Sequence, residues 1–174
     1  ESVDTSVSLT ISDASNAATG ITASADSTCN GNSTMLMVVG GSLGAGGNWV
    51  WYADSCGGSS IGMGDSLVVS PLANTDYFVR AEDACGATAC VSKTIIVNTS
   101  APAPVALDTT TCGGGPVPPL TANGFAIKWY SDPGTTILLA TGNTFNTGQT
   151  ADGIYNYFVT QTLGGCESPA DIAT

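Results

Sequence analysis

Apolar and β-branched residues recur along this chain in short runs at Met35 to Val39, Trp49 to Tyr52, Ser66 to Val69, Tyr77 to Arg80 and Thr94 to Val97, each bounded by Gly, Asn, Asp or Pro. That is the pattern of short antiparallel strands joined by turns. Val7 to Ile11 is an earlier run of the same kind. A second series follows at Leu120 to Ala122, Ala126 to Tyr130, Ile137 to Ala140, Tyr155 to Thr162 and Pro169 to Ala173, divided by turn signals such as Asp132-Pro133-Gly134 and Leu163-Gly164-Gly165. No stretch carries helical periodicity, so the predicted class is all-β.

The two series align. Trp51-Tyr52 matches Trp129-Tyr130, Gly64-Asp65-Ser66-Leu67 matches Gly142-Asn143-Thr144-Phe145, Tyr77-Phe78-Val79 matches Tyr157-Phe158-Val159, and Cys90-Val91-Ser92 matches Cys166-Glu167-Ser168. The offset stays at roughly 76 to 80 residues, an internal repeat. Between the copies, Asn98 to Pro104 contains prolines that cannot continue a central strand. The expected organisation is an N-terminal strand over residues 1–13, one sandwich over 14–100 and a second over 101–174.

The ends of the chain echo each other. Glu1-Ser2-Val3-Asp4 resembles Cys166-Glu167-Ser168-Pro169 in a way that makes the opening read as the last strand of a domain. Cys90 is followed by a strand reaching Val97, whereas Cys166 has eight weakly apolar residues after it, so the last strand of the second sandwich reads as incomplete. An uncovered sheet edge leaves backbone N–H and C=O groups unpaired and invites another strand. Residues 3–11, with Val3, Val7, Leu9 and Ile11 in alternation, are the candidate donor. Either the chain is one part of a tandem array, or each subunit donates this strand to the next, head to tail, which builds fibres.

Composition narrows the function. Fourteen acidic groups face only Arg80, Lys93 and Lys128, for a formal charge of −11, so nucleic acid is excluded as a partner and an anionic membrane surface is disfavoured. No apolar run is long enough to insert in a bilayer, and no basic, apolar leader opens the chain. With no histidine and no CxxC pair, the six cysteines suit disulfides rather than a metal, which points to an oxidising compartment, extracellular or at the cell surface. No Gly-rich phosphate loop and no placed acid–base pair emerge, so neither an enzyme nor a cofactor site is expected. The Glu82-Asp83 pair reads as a solvated acidic tip rather than a calcium loop.

Trp49-Val-Trp-Tyr, Cys56-Gly-Gly, Gly62-Met-Gly-Asp-Ser-Leu, Val69-Ser-Pro and Asp76-Tyr-Phe-Val-Arg-Ala-Glu in the first repeat resemble the immunoglobulin-like repeats of Bacteroidota secreted and surface proteins. Lys128-Trp-Tyr, Thr141-Gly-Asn-Thr-Phe, Tyr157-Phe-Val and Gly165-Cys-Glu-Ser carry the same resemblance in the second. It implies two tandem immunoglobulin-like antiparallel β-sandwiches, disulfide-stabilised, of the kind found in adhesins, gliding-associated proteins and spacers of exported enzymes. It transfers no catalytic residue.

In such a sandwich Trp51 and Trp129 belong in the core, with a sugar-stacking surface as the competing reading. Cys112 is left to pair with Cys166. Repeat alignment gives Cys29–Cys90 with Cys56–Cys85, but strand geometry would part the latter pair by roughly 20 Å. Geometry favours Cys85–Cys90 with Cys29–Cys56, and both sets stay open. Ser27, Ser66 and Thr109 sit in Asp-Ser/Thr motifs of the bacterial O-glycosylation type, and Asn32 and Asn98 open N-glycosylation sequons. The functional expectation is a non-catalytic structural or adhesive building block, self-associating or flanked by further repeats, with glycans as possible partners. The competing expectation is a carbohydrate-binding or spacer module of a secreted polysaccharide-degrading enzyme.

Overall fold

The computed structural model describes residues 13–112 and 117–174. The chain divides between Val97 and Asn98 into two compact units. The proposed donor residues Val3, Val7, Leu9 and Ile11 lie outside the described residues.

The first unit is built from β1 (Gly20–Ala23), β2 (Ser27–Cys29), β3 (Thr34–Val39), β4 (Asn48–Ala53), β5 (Ser60–Met63), β6 (Ser66–Val69), β7 (Thr75–Asp83), β8 (Gly86–Ala87) and β9 (Val91–Asn98). One sheet has the order β1-β3-β6 and the other β2-β9-β7-β4-β5, with β8 on the end of β7. Alternation decides which side chains meet between the sheets: Tyr77, Val79 and Ala81 of β7 are buried while Phe78 and Arg80 are half-buried on the opposite face. Facing them from the smaller sheet, Ile21, Leu36 and Val69 complete a core that also holds Trp49, Trp51 and Ile95.

The second unit repeats the plan with β10 (Val105–Leu107), β11 (Leu120–Asn123), β12 (Lys128–Tyr130), β13 (Leu138–Thr141), β14 (Thr144–Phe145), β15 (Tyr157–Thr160), β16 (Thr162–Leu163), β17 (Cys166–Glu167) and β18 (Asp171–Ala173). Its sheets are β10-β11-β14 and β13-β12-β15-β18, with β16 and β17 forming a small ribbon. Leu120, Ala122 and Phe145 pack against Trp129, Tyr157, Val159 and Ala173. Phe145 stands 5.7 Å from the Trp129 ring and edge-on to Tyr157 at 5.1 Å. Both units are therefore antiparallel β-sandwiches, as the strand pattern predicts.

One linkage recurs in both. The Trp51 indole Nε1 donates to the carbonyl of Gly64 at 2.8 Å, and Trp129 Nε1 donates to Gly142 at the same distance. Each glycine closes its hairpin by donating its own N–H, to Trp49 O and Ile127 O respectively, at 2.9 Å. Both sit at positive φ, 110° and 106°, a conformation that favours glycine. The residue after each glycine then accepts from the facing sheet, Asp65 O from Val38 N and Asn143 O from Ala122 N, both at 2.9 Å. The aligned Gly-Asp/Asn-Ser/Thr tetrads thus tie hairpin, tryptophan and opposite sheet together. The ladder also shifts register between Trp and Tyr in both copies.

Several strands carry no apolar alternation and escape a pattern reading. β2 (Ser-Thr-Cys), β8 (Gly-Ala) and β17 (Cys-Glu) are defined by the ladder beside them rather than by their own side chains. β12 begins at Lys128 rather than Ala126, because Ala126 sits at φ 47°. β15 begins at Tyr157 rather than Tyr155, since its neighbour β18 ends opposite Tyr157 at Ala173.

Trp51 is fully buried, so Trp51→Ala should destabilise by about 3–5 kcal/mol in denaturant titration. A Cβ on Gly142 would meet nothing within 4 Å. Gly142→Ala should therefore cost only backbone strain, about 1–3 kcal/mol.

Candidate functional site

The face of the larger sheet turned away from the core in unit 1 carries a charged cluster. Tyr52 and Arg80 sit on neighbouring strands, with the guanidinium carbon 5.2 Å from the Tyr52 ring centroid. Arg80 also donates to Glu82 Oε1 at 2.7 Å through both Nε and Nη2. The Tyr52 hydroxyl donates to the same carboxylate oxygen in a short hydrogen bond. Hydrogen bonds from Tyr52 and then Arg80 hold the Glu82 carboxyl below the ordinary carboxylate range, while burial raises Tyr52.

Unit 2 builds the same chemistry from different positions. Lys128 Nζ pairs with Glu167 Oε2 at 2.8 Å, and the hydroxyls of Tyr130 and Thr160 each donate to Glu167 Oε1 at 2.6 Å. Burial works against ionising Glu167, but these bonds together outweigh it and lower its pKa. The remaining cation, Lys93, pairs with Asp26 at 2.9 Å. All three cations of the chain are thus engaged by the protein's own carboxylates.

The Glu82-Asp83 pair is not a solvated tip. Glu82 is held as described, and Asp83 accepts the N–H and hydroxyl of Ser15 at 2.7 and 2.6 Å and the N–H of Cys85 at 2.7 Å. The bonds from Ser15 hold the Asp83 carboxyl low. Among the described residues no cluster of three or more His, Cys, Asp or Glu is placed to hold a metal ion.

The disulfide in unit 1 corrects both expected pairings: Cys56 bonds to Cys90, with Cα atoms 6.2 Å apart. The reason lies in the loop after β4. A Cβ added to Gly57 would fall 2.9 Å from Arg80 Nη1, so the loop folds back over the charged face instead of extending past the strand end. Cys90, one step before the Val91–Val79 pair, lies beside Arg80 on that face. Neither Cys29–Cys56 nor Cys29–Cys90 can then form, and neither can Cys56–Cys85 nor Cys85–Cys90. Cys85 is exposed in the turn between β7 and β8. Cys112–Cys166 is also overturned, since Cys112 is an exposed free thiol. Cys29 and Cys166 are both disulfide-bonded.

Trp51 and Trp129 are fully buried and Trp49 nearly so. Among the described residues Phe125, 66 % exposed, is the one aromatic ring standing in solvent. The rings among the described residues form no surface strip for sugar stacking. Ser27 and Ser66 are exposed, Thr109 is half-buried with its N–H donated to Thr174 O at 2.9 Å, and Asn32 is exposed.

A cavity opens at one end of unit 2. β15 pairs with β18 over three positions, Tyr157↔Ala173 to Val159↔Asp171, whereas in unit 1 β7 pairs with β9 over five and continues to Thr75↔Ile95. Ile95 is fully buried there. A cavity of about 370 Å³ at this end of unit 2 is lined by Leu120, Thr147, Gln149, Asp152, Tyr155 and Tyr157 among others. Gln149 Nε2 donates to the Tyr157 hydroxyl at 2.8 Å on its wall. Gln149 and Tyr155 were not anticipated as site residues. They lie in a loop without apolar alternation, so no signal in the sequence marked them.

The family model of the Ig-like domain, CHU_C associated, matches residues 17–99 and again 100–174. No curated protein matches the chain.

Acidification should weaken both carboxylate clusters. Glu82 and Glu167 titrate below an unfolded glutamate, so their bonds are fully present above about pH 4.3 and are lost as pH falls through the lower folded values. Thermal melts between neutral and acid pH should show the loss, and Glu167→Gln should flatten the slope. Reducing Cys56–Cys90, which closes a separation of 34 residues, should destabilise unit 1 by about 2–4 kcal/mol, read from melting with and without reductant.

Proposed function

Because the chain belongs to the family of the Ig-like domain, CHU_C associated, and carries it twice in tandem, we propose that it is a structural building block of an extracellular filament or cell-surface adhesin. Subunits join head to tail, residues 3–11 of one entering the open end of unit 2 in the next. Domains of this family are typically non-catalytic, and family and disulfides together point to an extracellular or surface protein. The single observation supporting assembly is the cavity at one end of unit 2, with Leu120, Tyr155 and Tyr157 in its lining.

Strand addition suits this end of the sandwich. It would supply apolar contact to Leu120 and Tyr157 and backbone pairing along β15 N-terminal to Tyr157. A heterologous contact of this kind does not close on itself, so it propagates. The surface suits open solvent: with every cation engaged, the net charge of −11 keeps separate filaments apart. Sites for O-linked sugar at Ser27 and Ser66 would stand on that exposed surface. The carbohydrate-binding reading finds no support in the buried tryptophans.

Electron microscopy of native material should show fibres of regular subunit repeat. Deleting residues 1–12 should leave a folded monomer with an unchanged circular dichroism spectrum. A native protein that stays monomeric, or a deletion that still polymerises, would count against the reading.

A further inference from the structure

The outer face of the sheet β1-β3-β6 is apolar without serving the core. Alternation turns Ile21, Leu36 and Val69 inward, so Met35, Met37 and Val39 of β3 and Val68 of β6 point to solvent, between 39 and 65 % exposed. Pairing sets them side by side: Met35 lies opposite Val68, Met37 between Thr22 and Ser66, and Val39 opposite Gly20. Not one outward position on these three strands is charged. Unit 2 shows that the fold does not demand such a face. Val38 and Ala122 donate equivalent bonds, to Asp65 O and Asn143 O, which aligns Met37 with Thr121, Val39 with Asn123 and Val68 with Asn146. All three are polar in unit 2, where the exposed apolar side chains of this face, Val105 and Leu107, stand on the edge strand β10 instead.

We propose that this face is a contact between two copies of the chain, each presenting the same patch. Like charge, −11 on each copy, holds most of the two surfaces apart, but here neither brings a charged side chain to the other. A three-stranded face of this kind is its own complement: two sheets stack about 10 Å apart with their side chains interleaved, and methionine adapts to the gaps. Strands of at most six residues in a sheet three strands wide span roughly 20 by 15 Å, at about 3.3 Å per residue and 4.8 Å per strand. That lies well below the ~800 Å² per partner of a stable interface, so the pairing is weak and reversible, and it gains strength where many copies already stand in line. It involves neither the cavity of unit 2 nor residues 1–12, so it stands or falls apart from strand addition.

The chain's three methionines supply the readout: Met35 and Met37 lie on the face, while Met63, 64 % exposed, lies on β5 of the other sheet. Hydrogen peroxide in excess gives each accessible thioether one oxygen atom and leaves as water, and peptide masses score each site separately. In the native chain, raised from about 10 μM to about 1 mM, oxidation of Met35 and Met37 should slow at least about twofold, the loss expected once half the copies are paired, while Met63 keeps its rate. Met37→Thr with Val39→Asn and Val68→Asn, the residues with which unit 2 already folds, should keep the circular dichroism spectrum and abolish the protection of Met35. Should that triple variant not fold, Val68→Asn alone, at the most exposed position of the patch, should at least halve the protection. Met35 and Met37 that oxidise at 1 mM as fast as at dilution overturn the proposal, whether or not fibres form. Protection already complete in the dilute monomer would show the face covered within one chain and overturn the second copy as its occupant, as would protection that survives the substitutions.

Discussion

An indole N–H buried between two sheets must find an acceptor, because its desolvation is uncompensated otherwise. In both units that acceptor is the carbonyl of a glycine in the turn where the chain crosses from one sheet to the other. The requirement fixes more than one bond. It holds that turn against the ring, demands a backbone conformation open to glycine, and sets the following residue where its carbonyl reaches the other sheet. The largest core side chain, the tightest turn and the bridge between layers are therefore one device used twice.

Around that device the two units diverge. Each places a tyrosine next to its tryptophan and bonds the phenol to a glutamate braced by a cation, but the partners come from different strands. In unit 1 both Arg80 and Glu82 stand on β7, whereas in unit 2 Lys128 comes from β12 and Glu167 from β17. A phenol buried on a sheet face needs a strong acceptor, and a carboxylate there needs a counter-charge. Both needs can be met from any neighbouring strand, so the chemistry persists while the positions drift. The Cys56–Cys90 bridge arches over this cluster in unit 1.

Much of this was legible in the residues. Tryptophan, tyrosine and glycine recur at fixed intervals because packing and turn geometry act locally, so the sandwich and its duplication could be read directly. The cysteine pairing could not. Its partners depend on a loop that folds back across a sheet face, and strand arithmetic assumes that loops extend beyond strand ends. Short polar strands such as β2 and β17 were invisible for a related reason: their conformation is imposed by a neighbour's hydrogen bonds rather than by their own side chains. Gln149 and Tyr155 reach the cavity of unit 2 from a loop without apolar pattern, so no spacing marked them.

The indole and its glycine stand 13 residues apart in both units. Insertions within that interval would pull the carbonyl away from the ring, while loops elsewhere are free to lengthen. The interval therefore behaves as a ruler built into the chain. A string of such modules can diverge over its whole surface, trading charges, sugars and loop lengths, and its copies can still be counted by that spacing.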